Sequence, residues 1–207
     1  MKETESPDAT TEQKIKEAAR TVFHKKGFAA TRTRDIAEEA GINLALLNYY
    51  FRSKKKLFDI IMIETLDIFK HTMISIFNDK NSSLEQKVEL IASNYIDFIT
   101  NEPDIPMFLL NEMRSNIDDL MEKIPVKPIV MDTVFYNQYM EAVNNDIITE
   151  MNPMIFLTNL LSLIVFPFMG KPLLQKIDDA DDAQYEKMMQ ERKKMIPVWI
   201  KSMFYRP

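Results

Sequence analysis

Residues 31–58, TRTRDIAEEAGINLALLNYYFRSKKKLF, hold two short runs of helical periodicity with only three residues between them. Such close punctuation confines this stretch to short helices meeting at a sharp turn. Ile36, Ala37 and Ala40 recur at helical spacing, which predicts a helix over about 32–40, with Thr31 as its cap. Gly41 then stops it by offering a left-handed residue, and Asn43 is placed to cap the next helix. In that second helix Leu47 and Phe51 share a face and can join Ile36 and Ile42 in a small core. Ala45 and Tyr49 point the other way, flanked by Leu44, Leu46 and Asn48, and this is the surface to place in a major groove.

Two helix starts carry charge of the wrong sign. A helix N-terminus is partly positive and favours Asp or Glu. Here one helix opens with Arg32 and Arg34, and another, after Ser53, with Lys54, Lys55 and Lys56. A phosphate oxygen at each start would reverse the balance, because free backbone N–H groups and cations would all face one anion. The plainer alternative is a solvated basic face.

On these residues, 14–58 resemble the N-terminal domain of the TetR family of bacterial transcription regulators. The likeness lies in AxxxFxxKGFxxT over Ala19 to Thr31, RDIAEEAGI over 34–42, and LxYYFxSKxxLF over 47–58. It implies a DNA-binding set in which Thr31, Arg32, Tyr49, Tyr50 and Lys54 hold phosphates while Leu44, Ala45, Leu46 and Asn48 face bases, with Thr33 also in the set. The chain departs from the family at 44 and 46, which are often polar or small there. Leucine at both leaves Asn48 as the hydrogen-bonding reader. Thymine methyls can supply apolar contacts; alternatively Leu44 and Leu46 are packed and DNA shape carries specificity.

Net charge is −5, which at first argues against a polyanionic partner. The split resolves this: residues 1–58 hold twelve Lys/Arg against eight Asp/Glu, a net +4, and the rest of the chain is −9. Hydrophobic residues make up 46 %, enough for a core, and three glycines with no alternating strand pattern predict an all-α chain. With no cysteine there is no disulfide framework or thiolate metal site. Two histidines, and no HExxH, GxSxG or glycine-rich phosphate loop, leave no catalytic constellation, so no enzyme, cofactor or metal is expected. The polar start MKETESPDATTEQ lacks the apolar run of a signal peptide and predicts a cytoplasmic protein.

Along the chain, residues 1–10 read as an unpatterned tail, 11–58 as the helix-turn-helix domain and 59–207 as a second helical domain. The first helix runs over about 11–26 with Ile15, Ala18, Ala19, Val22 and Phe23 inward; Gly27 ends it and Phe28 plugs the core. His24, near its end, suits the helix dipole. After Ser53 a helix continues to about 78. Others are predicted over 84–101, 107–123 and 129–145. Asn152 and Pro153 start one over 154–166 that is apolar nearly all round. Residues 171–183 read as an aspartate-rich loop without calcium-loop order, and 183–204 as the last helix, kinked at Pro197.

The resemblance implies a homodimer paired through the helices at 154–166 and 183–204, a near-palindromic double-stranded DNA operator with half-sites roughly 34–36 Å apart, and a small-molecule effector. No membrane partner is expected, because the apolar run at 154–166 is shorter than about 18 residues and holds Thr158, Asn159 and Ser162. Fifteen Met and thirteen Phe suit a permissive apolar pocket, with Met62, Phe69, Tyr95, Phe98, Met113, Phe135, Tyr139, Phe156 and Asn159 as candidate lining; the same residues could simply fill a core. The expected function is a ligand-released repressor. The rival is a TetR-like scaffold acting as a protein interaction module without specific DNA binding.

Overall fold

Polar caps and a few glycines, more than apolar periodicity, set where the helices begin and end. A computed structural model describes residues 7–115 and 117–206. Among them the chain forms twelve helices and condenses into two compact units, which divide between Ile68 and Phe69.

The first unit holds α1 (Pro7–Ala30), α2 (Thr33–Glu39), α3 (Leu44–Tyr50) and the first part of α4 (Lys54–Asn78). Of the predicted tail, residues 1–6 lie outside the described ones and 7–10 form the first turn of α1. The apolar stripe of α1, Ile15, Ala18, Ala19, Val22 and Phe23, is buried as its spacing requires. Gly27 breaks the helix with φ 71° and ψ 166°, a conformation that a side chain would disfavour. Phe28 follows, its ring 4.7 Å from that of Phe58, which in turn lies 5.0 Å from Phe23. Ile36, Leu47, Phe51, Leu57 and Ile61 complete this core. Lys16 donates to the Glu64 carboxylate at 2.8 Å and Arg20 donates to the Thr65 hydroxyl at 2.8 Å, tying α1 to α4. The hydrogen bond to the Glu64 carboxylate raises the pKa of Lys16.

The second unit adds α5 (Leu84–Asn101), α6 (Ile105–Ser115), α7 (Ile117–Lys123), α8 (Val126–Met131), α9 (Val134–Asn144), α10 (Pro153–Met169), α11 (Lys171–Asp178) and α12 (Asp182–Phe204). Helix α5 is central, packed against α9, α10 and α12. Its start is a capping box: Gln86 donates its N–H to the Ser83 hydroxyl and Ser83 donates its N–H to the Gln86 side chain. Lys87, fully buried, donates its ammonium to the Asp79 and Ser82 carbonyls and the Ser82 hydroxyl. That saturates all three donors of a charge out of water.

Three predicted boundaries shift. The helix expected over 129–145 is split, because Thr133 donates its hydroxyl to the Val130 carbonyl and accepts the Tyr136 N–H, ending α8 and capping α9. Proline 128 lies inside α8 rather than before it. The aspartate-rich loop is largely α11: Asp179 takes the left-handed conformation that closes it, and Asp181 caps α12 by accepting the Gln184 N–H. Helix α11 leaves Leu173 and Ile177 exposed, Ile177 at 72 %.

Helix α10 starts on Asn152 and Pro153 as predicted, then runs through Pro167. Proline has no N–H for the carbonyl four residues back, that of Leu163. Arg192 of α12 donates to this carbonyl at 2.6 Å, and Tyr185 donates its hydroxyl to the Pro167 carbonyl at 2.9 Å. Two side chains of one helix thus complete the backbone of another. No single helix among the described residues is long and apolar enough to cross a membrane; α10 and α11 together pass on length and composition but bend by 70°.

Candidate nucleic-acid interface

The helix-turn-helix is built by local chemistry. Asn43 accepts the Leu46 N–H at 2.8 Å, Gly41 sits at φ 62°, and the Ile42 N–H donates back to the Ala37 carbonyl. Leu47 and Phe51 are buried and pin α3 to its support. The opposite side presents exposed Ala45, Asn48 and Tyr49, the last 79 % exposed and edge-on to Tyr50 at 5.3 Å. Leu44 and Leu46 are half-buried, so each is partly packed and partly presented. At the start of α2, Arg32 and Arg34 are exposed and Thr33 is half-buried.

Two residues assigned to phosphate are differently engaged. Thr31 is 2 % exposed and donates its hydroxyl to the Gly27 carbonyl at 2.7 Å. It closes the break in α1 and does not cap α2, whose N-cap is Arg32. The α2 start is instead held by Asp35, which accepts the Arg32 N–H at 2.9 Å and pairs with Lys26 at 3.1 Å. The backbone bond from Arg32 and then the Lys26 partner hold the Asp35 carboxyl below the usual range.

Lys54 turns inward. Its ammonium donates to the carbonyls of Phe28 and Thr31, each at 2.8 Å, and stands 4.3 Å over the Phe28 ring. Two of its three donors are committed to the α1–α2 connection, which makes Lys54 a strut for the reading head. Lys55 pairs with Asp59 at 2.6 Å, leaving Lys56 as the exposed cation of that first turn without an ion pair among the described residues. The start of α4 is stabilised by Ser53, which accepts the Lys56 N–H at 3.1 Å. Exposed Arg52, beside the end of α3, is a candidate that residue matching omits; its place between α3 and α4 was the available signal.

The nine candidate effector residues are not brought together as one set. Phe69 stacks on Phe98 with ring centroids 4.1 Å apart and meets Tyr95 edge-on at 4.6 Å, and burial pushes the Tyr95 phenol up. Phe135, Tyr139 and Phe156 are buried in contact with one another and with Phe77 and Phe204, so they fill the core of the second unit. Met113 is exposed, Asn159 donates to the Ile155 carbonyl of its own helix, and Met62 is buried in the first unit. The side chain of His24 lies outside the described ones. Among the described residues no His, Asp or Glu group is arranged to hold a metal ion.

Residues 15–61 match the family model described as bacterial regulatory proteins, tetR family. Over 201 residues, 94 % of each chain, the sequence is 24 % identical to the "Probable HTH-type transcriptional regulator YttP" of Bacillus subtilis. It is 29 % identical over 93 residues, 45 % of each chain, to the HTH-type transcriptional repressor KstR2 of Mycolicibacterium smegmatis. The fold is similar to that of the transcriptional regulator FadR from Bacillus subtilis, solved in complex with stearoyl-CoA, with a TM-score of 0.55 at 14 % identity over 89 % of this chain and 96 % of that one.

Proposed function

From the premise that this chain belongs to the tetR family of bacterial regulatory proteins and is a DNA-binding transcription regulator rather than an enzyme, we propose that it is a homodimeric, ligand-released repressor. The observation that carries the reading is the outward face of α3. Ala45, Asn48 and Tyr49 are exposed beside the cations Arg32 and Arg34, on a helix fixed from behind by Leu47 and Phe51. Arg32, Thr33, Tyr49 and Tyr50 serve the phosphates, and Leu44, Ala45, Leu46 and Asn48 meet the bases of an operator in the cytoplasm.

The second copy docks on α10 and α12. Ile155, Leu161 and Phe166 of α10 are exposed opposite buried Phe156, Leu160 and Ile164, and Met188, Met195 and Val198 form a similar outward row on α12. An isologous pairing of these faces covers both rows and sets two reading heads on a near-palindromic site. The effector is a small apolar or aromatic molecule received at Phe69, Tyr95 and Phe98. FadR was solved in complex with stearoyl-CoA, and KstR2 is a transcriptional repressor. Such a ligand weakens DNA binding only by its different affinity for the two states.

A gel shift on the promoter beside its own gene tests the DNA reading, with Phe166→Asp followed by sedimentation to test the pairing. Retention that fades with the dimer is expected. No retention of any duplex at low salt would remove the regulator mechanism proposed.

A further inference from the structure

Helix α3, Leu44–Tyr50, contains no charged side chain. This is a chemical restriction on the bases it can read. Guanine offers O6 and N7, which call for the paired donors of Arg or Lys, and cytosine offers an N4 donor, which calls for a carboxylate. The outward face of α3 provides neither. What it provides is a methyl at Ala45, two half-buried leucines at 44 and 46, the exposed amide of Asn48 and the ring and hydroxyl of Tyr49. The amide oxygen of Asn43 is already engaged by the Leu46 N–H.

We infer that the base pairs covered by α3 are A·T pairs, with thymine methyls against Ala45, Leu44 and Leu46 and an adenine on the amide of Asn48. The inference rests on the DNA-binding reading above. It follows from two effects of the same sign. An aliphatic side chain gains by burying the C5-methyl of thymine. Pressed on a G·C edge, it strips water from donors and acceptors that then find no partner, which disfavours those pairs. The exposed cations, Arg32 and Arg34 at the start of α2 with Arg52 before α4 and Lys56 in its first turn, flank this helix. Their attraction to phosphate is independent of sequence, so the restriction applies to the pairs beneath α3 and not to the edges of the site.

The experiment selects duplexes from a random pool with the full wild-type chain, then titrates the best duplex with each thymine of the half-site replaced by deoxyuracil, which removes only the methyl. A·T pairs at the centre of each half-site are expected, with at least two replacements weakening binding about threefold to fourfold each. In Leu46→Ala one of these losses should shrink, and Asn48→Ala should tolerate a change at one adenine. Selection of G·C pairs beneath α3 overturns the inference and leaves DNA binding standing. So does a half-site in which no thymine replacement weakens binding, since shape would then be what is read. A pool from which nothing is retained overturns both this inference and the DNA reading.

Discussion

Removing the ammonium of Lys54 while keeping its stem separates two roles that its sequence position cannot distinguish. In Lys54→Met the carbonyls of Phe28 and Thr31 lose charge-assisted donors at 2.8 Å, and the Phe28 ring loses a cation at 4.3 Å. A hydrogen bond to a charged group contributes about 1.5–3 kcal/mol. Water can reach this half-buried site and re-solvate the carbonyls, so the total cost should be about 1–3 kcal/mol. For a chain of this length that lowers the melting temperature by about 2–4 °C for each kcal/mol. DNA affinity falls as well, because the connection between α1 and α2 loosens, but the strut releases no counterion. The slope of log K against log salt should therefore stay within a few tenths of wild type, whereas one lost phosphate contact would reduce it by about 0.9. Arg34→Ala, at an exposed position, should show that lost slope without a change in melting. A Lys54→Met chain with wild-type melting and a slope reduced by a full phosphate contact would refute the inward assignment.

Asn43→Ala removes the cap of α3 and should destabilise the first unit by about 1 kcal/mol in urea unfolding, with weaker binding to every duplex. Arg192→Met should cost about 1–2 kcal/mol, since it removes the donor that serves the Leu163 carbonyl in place of the N–H that Pro167 lacks. In a Pro167→Ala background the helix recovers its own N–H and the cost should fall by at least about 0.5 kcal/mol; strictly additive losses would refute the repair. The lowered pKa of Asp35 contributes stability that is complete above the unfolded value of 3.8 and is lost as acid titrates through the folded one. Helical signal from wild type and Asp35→Ala should accordingly converge in acid.

What could be read in advance was chemistry confined to a few neighbouring residues. Asn43 and Asn152 each accept a backbone N–H at the helix start where they were predicted to stand. The missed features depend on distant partners. Thr133 looks like any threonine until the Val130 carbonyl and the Tyr136 N–H both meet its hydroxyl. The direction of Lys54 depends on where the break at Gly27 leaves two carbonyls. The run Asp178 to Asp182 resembled solvated loop because charge dominated the pattern, although its members close one helix and cap the next. Among aromatics, composition cannot tell a wall from a filling. Phe135, Tyr139 and Phe156 went to the centre of the core, whereas Phe69, Tyr95 and Phe98 form a half-buried stack packed against it.

The lending of Arg192 and Tyr185 to the backbone of α10 bears on how a signal can travel. A helix that depends on its neighbour for a missing rung cannot slip along that neighbour by a turn without baring an oxygen in an apolar seam. Helices α10 and α12 are therefore keyed together, and whatever an effector does to this half of the molecule, they should answer as one rigid piece, with the yielding parts elsewhere.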